Sequence, residues 1–346
     1  MTVAILGYGK FGQALGGLLE DGGIAHRALD PLAPVPADRR ADSLEQLLQG
    51  CEFLALAVPI PAMPAALAQL APLLGPGQIV FDVASVKVLP ARWMAEHLRD
   101  RPHAGMHPLF GPVSLARAER PLRAVLCPAP GQALAAAKVA GLFQSLGCEV
   151  LTQTPEDHDR VMASTHALTF FLAKGLLEMG AGAELPFAPP SFHAIQRTLD
   201  SVREDAHHLF RAIQNENPFA QEARAGLIKA LEGIHAGLAE AGGGDDLPGL
   251  PEPGPDLTQR SPALLEARTM IDALDRELVE LLARRAELSR RAGKAKAELG
   301  VPVLDAGRET ALLRERRAWA EAAGLSPDVA EGVFQAVLRA SRRAQG

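Results

Sequence analysis

Short apolar runs alternate with longer amphipathic stretches through the first half of the chain. VAILG (3–7), HRALD (26–30), FLALAVP (53–59), IVFDVA (79–84) and RAVLCP (123–128) are mostly apolar and bounded by polar or turn-forming residues, which predicts strands. Between them, FGQALGGLLEDGG and AMPAALAQLAPLLG carry apolar residues at helical spacing. Strand–helix alternation of this kind predicts βαβ units and a mainly parallel sheet. From about Pro155 to Glu240 the strand signals fade and long helical stretches such as DRVMASTHALTFFLAKGLLEMG take over. Residues 242–262, GGGDDLPGLPEPGPDLTQRSP, are rich in Gly and Pro and nearly free of large apolar side chains, so they predict a flexible interdomain linker. Three helices are predicted after it, over 263–298, 305–320 and 326–343. Asp305 caps the second, and Ser326-Pro327-Asp328 opens the third.

Composition sharpens this division. Residues 263–346 carry 15 Lys/Arg against 13 Asp/Glu, whereas the preceding part carries 20 against 28, so the two parts read as separate modules. The net charge of −6 gives no electrostatic footprint for nucleic acid. No apolar run reaches the ~18 residues of a membrane span. The N-terminal MTVAILGYG runs straight into a strand and a glycine loop, which predicts no signal peptide and a cytoplasmic protein. Cys51, Cys127 and Cys148 have no metal spacing and sit at or near the ends of apolar runs, as expected of buried free thiols.

The first strand leads into Gly7-Tyr8-Gly9-Lys10-Phe11-Gly12, a G-x-G-x-x-G pattern that opens a helix. Alone the pattern is weak. The preceding strand, the following helix and Asp30 at the end of the next strand give it the context of a dinucleotide site. Gly7 permits the tight turn, Gly9 lets backbone approach a pyrophosphate, and Gly12 lets helix and strand pack closely. The helix N-terminus supplies N–H donors to the phosphates. Asp30 would accept from ribose hydroxyls and repel a 2′-phosphate, favouring NAD, while Arg39 and Arg40 keep NADP open.

Two further segments carry chemistry. Asp82-Val83-Ala84-Ser85-Val86-Lys87 follows an apolar strand, and Gly105-Met106-His107-Pro108-Leu109-Phe110-Gly111-Pro112 holds a histidine between glycine and proline. Both are expected at carboxyl ends of strands, where open α/β sheets bind ligands. His107 is a candidate acid/base there, or a loop histidine bonded only to backbone. DVASVK with GMHPLFGP, followed by Glu156-Asp157-His158-Asp159-Arg160 and Ser164-Thr165-His166, closely resembles the prephenate dehydrogenase family over roughly residues 1–240. The resemblance implies an α/β Rossmann-type domain over 1–154 and an all-α dimerisation and substrate domain over 155–241. It implies that His107 draws the ring-hydroxyl proton of prephenate, that Ser85 orients His107 beside the nicotinamide, and that His166 lies in the substrate pocket. It also implies an arginine clamp for the substrate carboxylate, matched to Arg211, with Arg203 and Arg197 as alternatives.

In the tail, Arg268, Arg285, Lys296, Asp305, Arg308-Glu309, Ser341 and Gln345 are set among Ile271, Leu274, Leu278, Leu281, Leu282 and Leu288 at helical period. From composition alone this is a charged helical hairpin used for dimerisation. The order of these residues, with GKAK and VPVLD between them, resembles the all-helical chorismate mutases over nearly all of 263–346, a three-helix all-α domain. That resemblance implies that Arg285 and Arg268 hold the two carboxylates of chorismate, with Arg268 reaching into a neighbouring subunit, so that a homodimer is expected. Lys296 and Gln345 would donate to the ether oxygen, and Glu309, with Asp305 nearby, would bind the ring hydroxyl. Arg308 would support the site and Ser341 would contact a carboxylate. The implied activities are consecutive, through chorismate and prephenate, in tyrosine biosynthesis. The alternatives are an arogenate dehydrogenase, or a dehydrogenase with a non-catalytic, regulatory or dimerising tail.

Overall fold

The computed structural model describes residues 1–116, 118, 120–181, 189–204, 207–240 and 262–345. The chain divides into two compact units, one of Met1–Leu115 and Pro121–Gly249, the other chiefly Leu250–Gly346. The predicted linker lies outside the described residues except for Pro262.

In the first unit, seven strands form one sheet: β1 (Thr2–Leu6), β2 (Ala25–Leu29), β3 (Phe53–Leu56), β4 (Ile79–Asp82), β5 (His103–Pro108), β6 (Leu122–Pro128) and β7 (Cys148–Thr152). Their order is β2-β1-β3-β4-β5-β6-β7. Every neighbouring pair is parallel except β5–β6, which is antiparallel, with His107 opposite Val125. Helices α1 (Lys10–Asp21), α2 (Leu44–Leu48), α3 (Met63–Leu70), α4 (Val88–Leu98), α5 (Pro112–Ala116) and α6 (Ala133–Ser145) accompany the strands. Alternate β1 residues feed two cores. Val3 and Ile5 join α1 and α6, while Ala4 and Leu6 join α2, α3 and α4, which is why the strands read as unbroken apolar runs.

Strands β5 and β7 carry no run of this kind. β5 reads HAGMHP, yet all six of its residues are buried; β7 is a short edge strand whose later residues are exposed. His107 therefore lies in a strand rather than in a loop.

Thr154 then accepts from Asp157 N at 3.1 Å and Pro155 takes the first turn, starting α7 (Pro155–Met162). A π-helical turn (Ala163–Ala167) leads into α8 (Leu168–Glu178), followed by α9 (Pro190–Glu204) and α10 (His207–Arg211). A second π-helical turn (Ala212–Glu216) precedes α11 (Ala220–Glu240). The two π turns meet where Gln214 Nε2 donates to Ala167 O at 2.7 Å. The three cysteines are free and buried as expected; burial, as the largest effect, pushes the Cys127 thiol up to about 12.

The second unit contains α12 (Pro262–Glu298), α13 (Ala306–Ala322) and α14 (Pro327–Gln345), with α14 packed on both others. Asp305 caps α13 through Arg308 N at 2.9 Å, as its position in sequence predicts. Between residues 270 and 282, α12 leaves Met270, Ile271, Leu274, Leu278, Leu281 and Leu282 exposed. Among the described residues no helix is long and apolar enough to cross a membrane.

Candidate active sites

The strand order reverses between β1 and β3, and the glycine loop lies at that switch point, where open α/β sheets bind ligands. Gly7 has φ +96°, and a Cβ there would stand 2.5 Å from Ala57 O. A Cβ on Gly12 would stand 2.2 Å from Gly7 O, so helix and turn approach as closely as glycine permits. Gly9 caps α1 without a side-chain acceptor, and a Cβ there would meet nothing within 4 Å. An uncapped helix N-terminus beside open space, with no acidic residue in its first turn, suits a pyrophosphate. Lys10 is exposed at the start of the helix, while Phe11 is half-buried against the core, its ring centroid 6.5 Å from that of Phe110.

Asp30 stands at the end of β2 and closes this loop. Its Oδ2 accepts from Tyr8 N at 2.6 Å, and its Oδ1 accepts from Leu32 N and Ala33 N, each at 2.8 Å. Burial opposes ionisation, but the N–H donors of Ala33, Leu32 and Tyr8 outweigh it and hold the carboxyl below its usual range. Asp30 thus remains an anion positioned by the loop it would serve.

His107 lies near the carboxyl end of β5, on the same sheet edge as the glycine turn after β1 and the segment after β4. It is 4% exposed, and its Nδ1 lies 2.8 Å from His158 Nε2. His158 Nδ1 in turn lies 2.7 Å from Asp159 Oδ1. Asp159 also accepts from Lys87 N at 2.7 Å and Val88 N at 2.9 Å. Beneath the histidine, Lys87 is wholly buried; its ammonium contacts Asp82 Oδ1 and donates to Met106 O at 2.8 Å. Burial pushes the Asp82 carboxyl up, against the pull of Lys87. Burial likewise drives His107 well below the ordinary histidine value, and protonation of His158 or His166, with the charge of Lys87, would lower it further.

Ser85 is half-buried in the β4–α4 segment, and the contact made by His107 Nδ1 is with His158. His158, Asp159 and Lys87 belong to the segments singled out in the sequence, yet only the fold shows them converging. His166 sits half-buried on the first π turn, edge-on to Phe170 at 4.6 Å, with its basicity lowered by burial and then by His158. Arg211 is exposed at the end of α10 and makes no ion pair among the described residues, Arg203 pairs with Asp200 at 3.5 Å, and the side chain of Arg197 lies outside the described residues.

In the helical unit, Arg285, Ser289, Gly293 and Lys296 recur at three- and four-residue spacing along one face of α12. Arg285 donates to Ser341 Oγ, Ser289 Oγ lies 3.1 Å from Ser341 Oγ, and Ser341 donates to Val337 O at 2.9 Å. Burial, then the charge of Arg316, lowers Arg285 from its ordinary value. A Cβ on Gly293 would stand 2.9 Å from Gln345 Cα, so glycine lets the end of α14 press onto α12. Gln345 Oε1 is buried with no hydrogen-bond partner among the described residues. Lys296 donates to Val303 O at 2.6 Å. Glu309 receives two bonds from Arg342 Nη1, at 2.8 and 2.6 Å, a partner not foreseen from sequence. Asp305 and Arg308 are exposed at the start of α13. The side chain of Arg268 lies outside the described residues; its position is 17 residues before Arg285, about 25 Å along the helix axis at ~1.5 Å per residue.

Comparison with known proteins finds relatives of both units. Residues 35–151 match the nucleotide-binding domain of prephenate dehydrogenase. The 4-amino-4-deoxyprephenate dehydrogenase of Streptomyces pristinaespiralis is 32% identical over 213 residues, covering 59% of this chain and 70% of that protein. The chain belongs to the prephenate dehydrogenase family. To this family fold it adds a further domain, since residues 267–346 match chorismate mutase type II. The T-protein of Haemophilus influenzae is 46% identical over 79 residues, 23% of this chain, and the match spans only 21% of that T-protein. The fold matches a prephenate dehydrogenase from A. aeolicus, solved with hydroxyphenyl propionate and NAD+, at a TM-score of 0.57 and 18% identity, covering 80% of this chain and 98% of that one.

Proposed function

We propose that the two units catalyse consecutive reactions. The helical unit rearranges chorismate to prephenate, and the sheet unit oxidatively decarboxylates prephenate to 4-hydroxyphenylpyruvate in tyrosine biosynthesis. The observation that carries this reading is the presence in one family member of a buried, neutral-leaning histidine on the nucleotide edge and a chorismate-mutase-type helix seam.

In the dehydrogenase, Gly7, Gly9, Lys10, Phe11 and Gly12 cradle NAD, and Asp30 takes its ribose hydroxyls. Bound NAD supplies the hydride acceptor. His107 accepts the ring-hydroxyl proton, Ser85 lies by the nicotinamide ring, His166 borders the substrate, and Arg211 clamps a carboxylate. Because loss of hydride and of CO2 makes an aromatic ring, the residues need only position the reactants and polarise one hydroxyl.

In the mutase, Arg285 and the partner-reaching Arg268 hold the substrate carboxylates, with Ser341 beside them. Lys296 and Gln345 donate to the ether oxygen as its C–O bond lengthens. Glu309 takes the ring hydroxyl, with Asp305 nearby and Arg308 in support. Fixed donors aimed at the oxygen that gains charge lower the barrier without a base or nucleophile. The separation of Arg268 from Arg285 and the exposed apolar positions on α12 support a homodimer in which two long helices pair.

The test supplies full-length protein with chorismate and NAD and follows chorismate loss and NADH together. Appearance of both supports the reading. Chorismate loss without NADH limits it to the mutase and calls for arogenate and NADP. Untouched chorismate removes the mutase half.

A further inference from the structure

His107 is one end of a file of three side chains that runs into the protein interior. His158 and Asp159, 1% and 0% exposed, are carried on α7, outside the sheet. The file is anchored at its far end by two backbone N–H groups of the Lys87–Val88 segment, and Asn217 Nδ2 donates to the backbone oxygen of Asp159 at 2.8 Å. Resting on the dehydrogenase reading above, we propose that His158 and Asp159 are positioning residues that keep His107 in the one tautomer able to act as a base.

The argument is a count of donors and acceptors. An ionised carboxylate only accepts, and Asp159 is held as an acceptor by two backbone N–H groups. His158 Nδ1 must then donate to it. A neutral imidazole has a single N–H, so His158 Nε2 is an acceptor. The nitrogen facing it, His107 Nδ1, therefore carries the proton of that ring, and His107 Nε2 carries the lone pair. No hydrogen bond among the described residues occupies that Nε2.

Along this path the balance closes without any further reactant. The hydroxyl O–H breaks and its proton moves to His107 Nε2, while the hydrogen on the adjacent carbon leaves with the C–H electron pair as hydride, for which bound NAD would be the acceptor. Departure of CO2 returns an electron pair to the ring oxygen, which takes the same proton back. While His107 is a cation, its Nδ1–H points through His158 to a carboxylate. A protonated His158 would instead donate from both nitrogens and force the proton of a neutral His107 onto Nε2, where it blocks the base. The other charged or titratable groups around the file are Lys87 with Asp82 below it, the Cys127 thiol on β6 and His166 beside it.

Two measurements test this. In wild-type protein at neutral pH, 15N-histidine NMR, assigned by comparison with His107→Asn, is expected to show His107 protonated at Nδ1 and unprotonated at Nε2; the reverse overturns the proposal. In kinetics, His158→Gln places an amide oxygen where Nε2 stood and keeps an acceptor for His107, whereas His158→Asn mimics Nδ1 alone and leaves His107 unheld. Prephenate kcat is expected to fall about tenfold for Gln, in the range for loss of a supporting shell, and on the order of 10²–10⁴ for Asn, as for a wrong tautomer. KM and NAD affinity should stay within about twofold, and the acid limb of the rate profile should shift. Near-native turnover in His158→Asn, or equal losses of turnover and NAD affinity in both variants, overturns it. Failure of the wild type to oxidise prephenate would instead remove the dehydrogenase reading itself.

Discussion

His107, His158, Asp159, Lys87 and Asp82 in the sheet unit are each at most 4% exposed, whereas Arg285, Lys296, Glu309 and Arg342 in the helical unit are half-buried. All ten histidines of the chain precede residue 263, and none lies in the region that matches chorismate mutase type II. The contrast follows from the chemistry assigned to each unit. A proton must be taken up in the sheet unit, so a titratable ring is withdrawn from water and its protonation state is controlled by neighbours. The helical unit only has to hold charge and hydrogen-bond donors still, which arginine, lysine and glutamine do without titrating near neutrality.

The strongest way to break this comparison is to remove the base. His107→Asn is expected to lower prephenate turnover by on the order of 10²–10⁴ and to leave chorismate consumption unchanged; equal loss of both activities would show that the units are not chemically independent. Lys296→Glu should do the converse, lowering mutase kcat by on the order of 10²–10³ as for loss of a transition-state donor, with NADH formation from added prephenate intact. An unchanged mutase rate would return the tail to a non-catalytic role.

Smaller effects sharpen the contrast. Arg342→Ala frees the Glu309 carboxylate from two charge-assisted bonds and should cost the mutase about tenfold, seen in kcat rather than in oligomeric state. A pH series from 8 to 5 should separate the units without mutation. The His107 base stays neutral below the ordinary histidine range because burial, above all, opposes its protonation. Prephenate oxidation should therefore persist through pH 6.5 and fail only at lower pH, while the mutase rate stays flat between pH 8 and 6.

Stability should follow the same division. His26, His107 and His166 have lowered native values, chiefly through burial, so the unfolded chain binds more protons once pH drops below about 6.5. Their contribution is fully present above that pH and is lost as pH falls toward the native values. The thermal midpoint of the sheet unit should decline over this interval and that of the helical unit should not; parallel declines in calorimetry would contradict the assignment.

Much of this architecture was legible in sequence because the signals are local. The glycine turn needs glycine at Gly7 and Gly12 whatever surrounds it, since φ at one position and backbone clearance at the other leave no room for a Cβ. The three tail helices match their predicted spans within two residues, because capping by Asp305 and the proline at 327 act within one turn. β5 was not legible as a strand, because HAGMHP has no apolar period and owes its burial to neighbours on both sides.

The sequence by itself determined which residue types stand at the candidate sites: a histidine beside a proline, a glycine-rich turn with Asp30, and basic residues at fixed spacing in the tail. Only the tertiary structure decided which of them meet. His107 and His158 are 51 positions apart and join because β5 and α7 converge; Arg342 reaches Glu309 across 33 positions because α14 packs on α13. Hydrogen bonds act over about 3 Å, so residue identity can propose a chemical role, but long-range packing decides whether donor and acceptor come close enough to perform it.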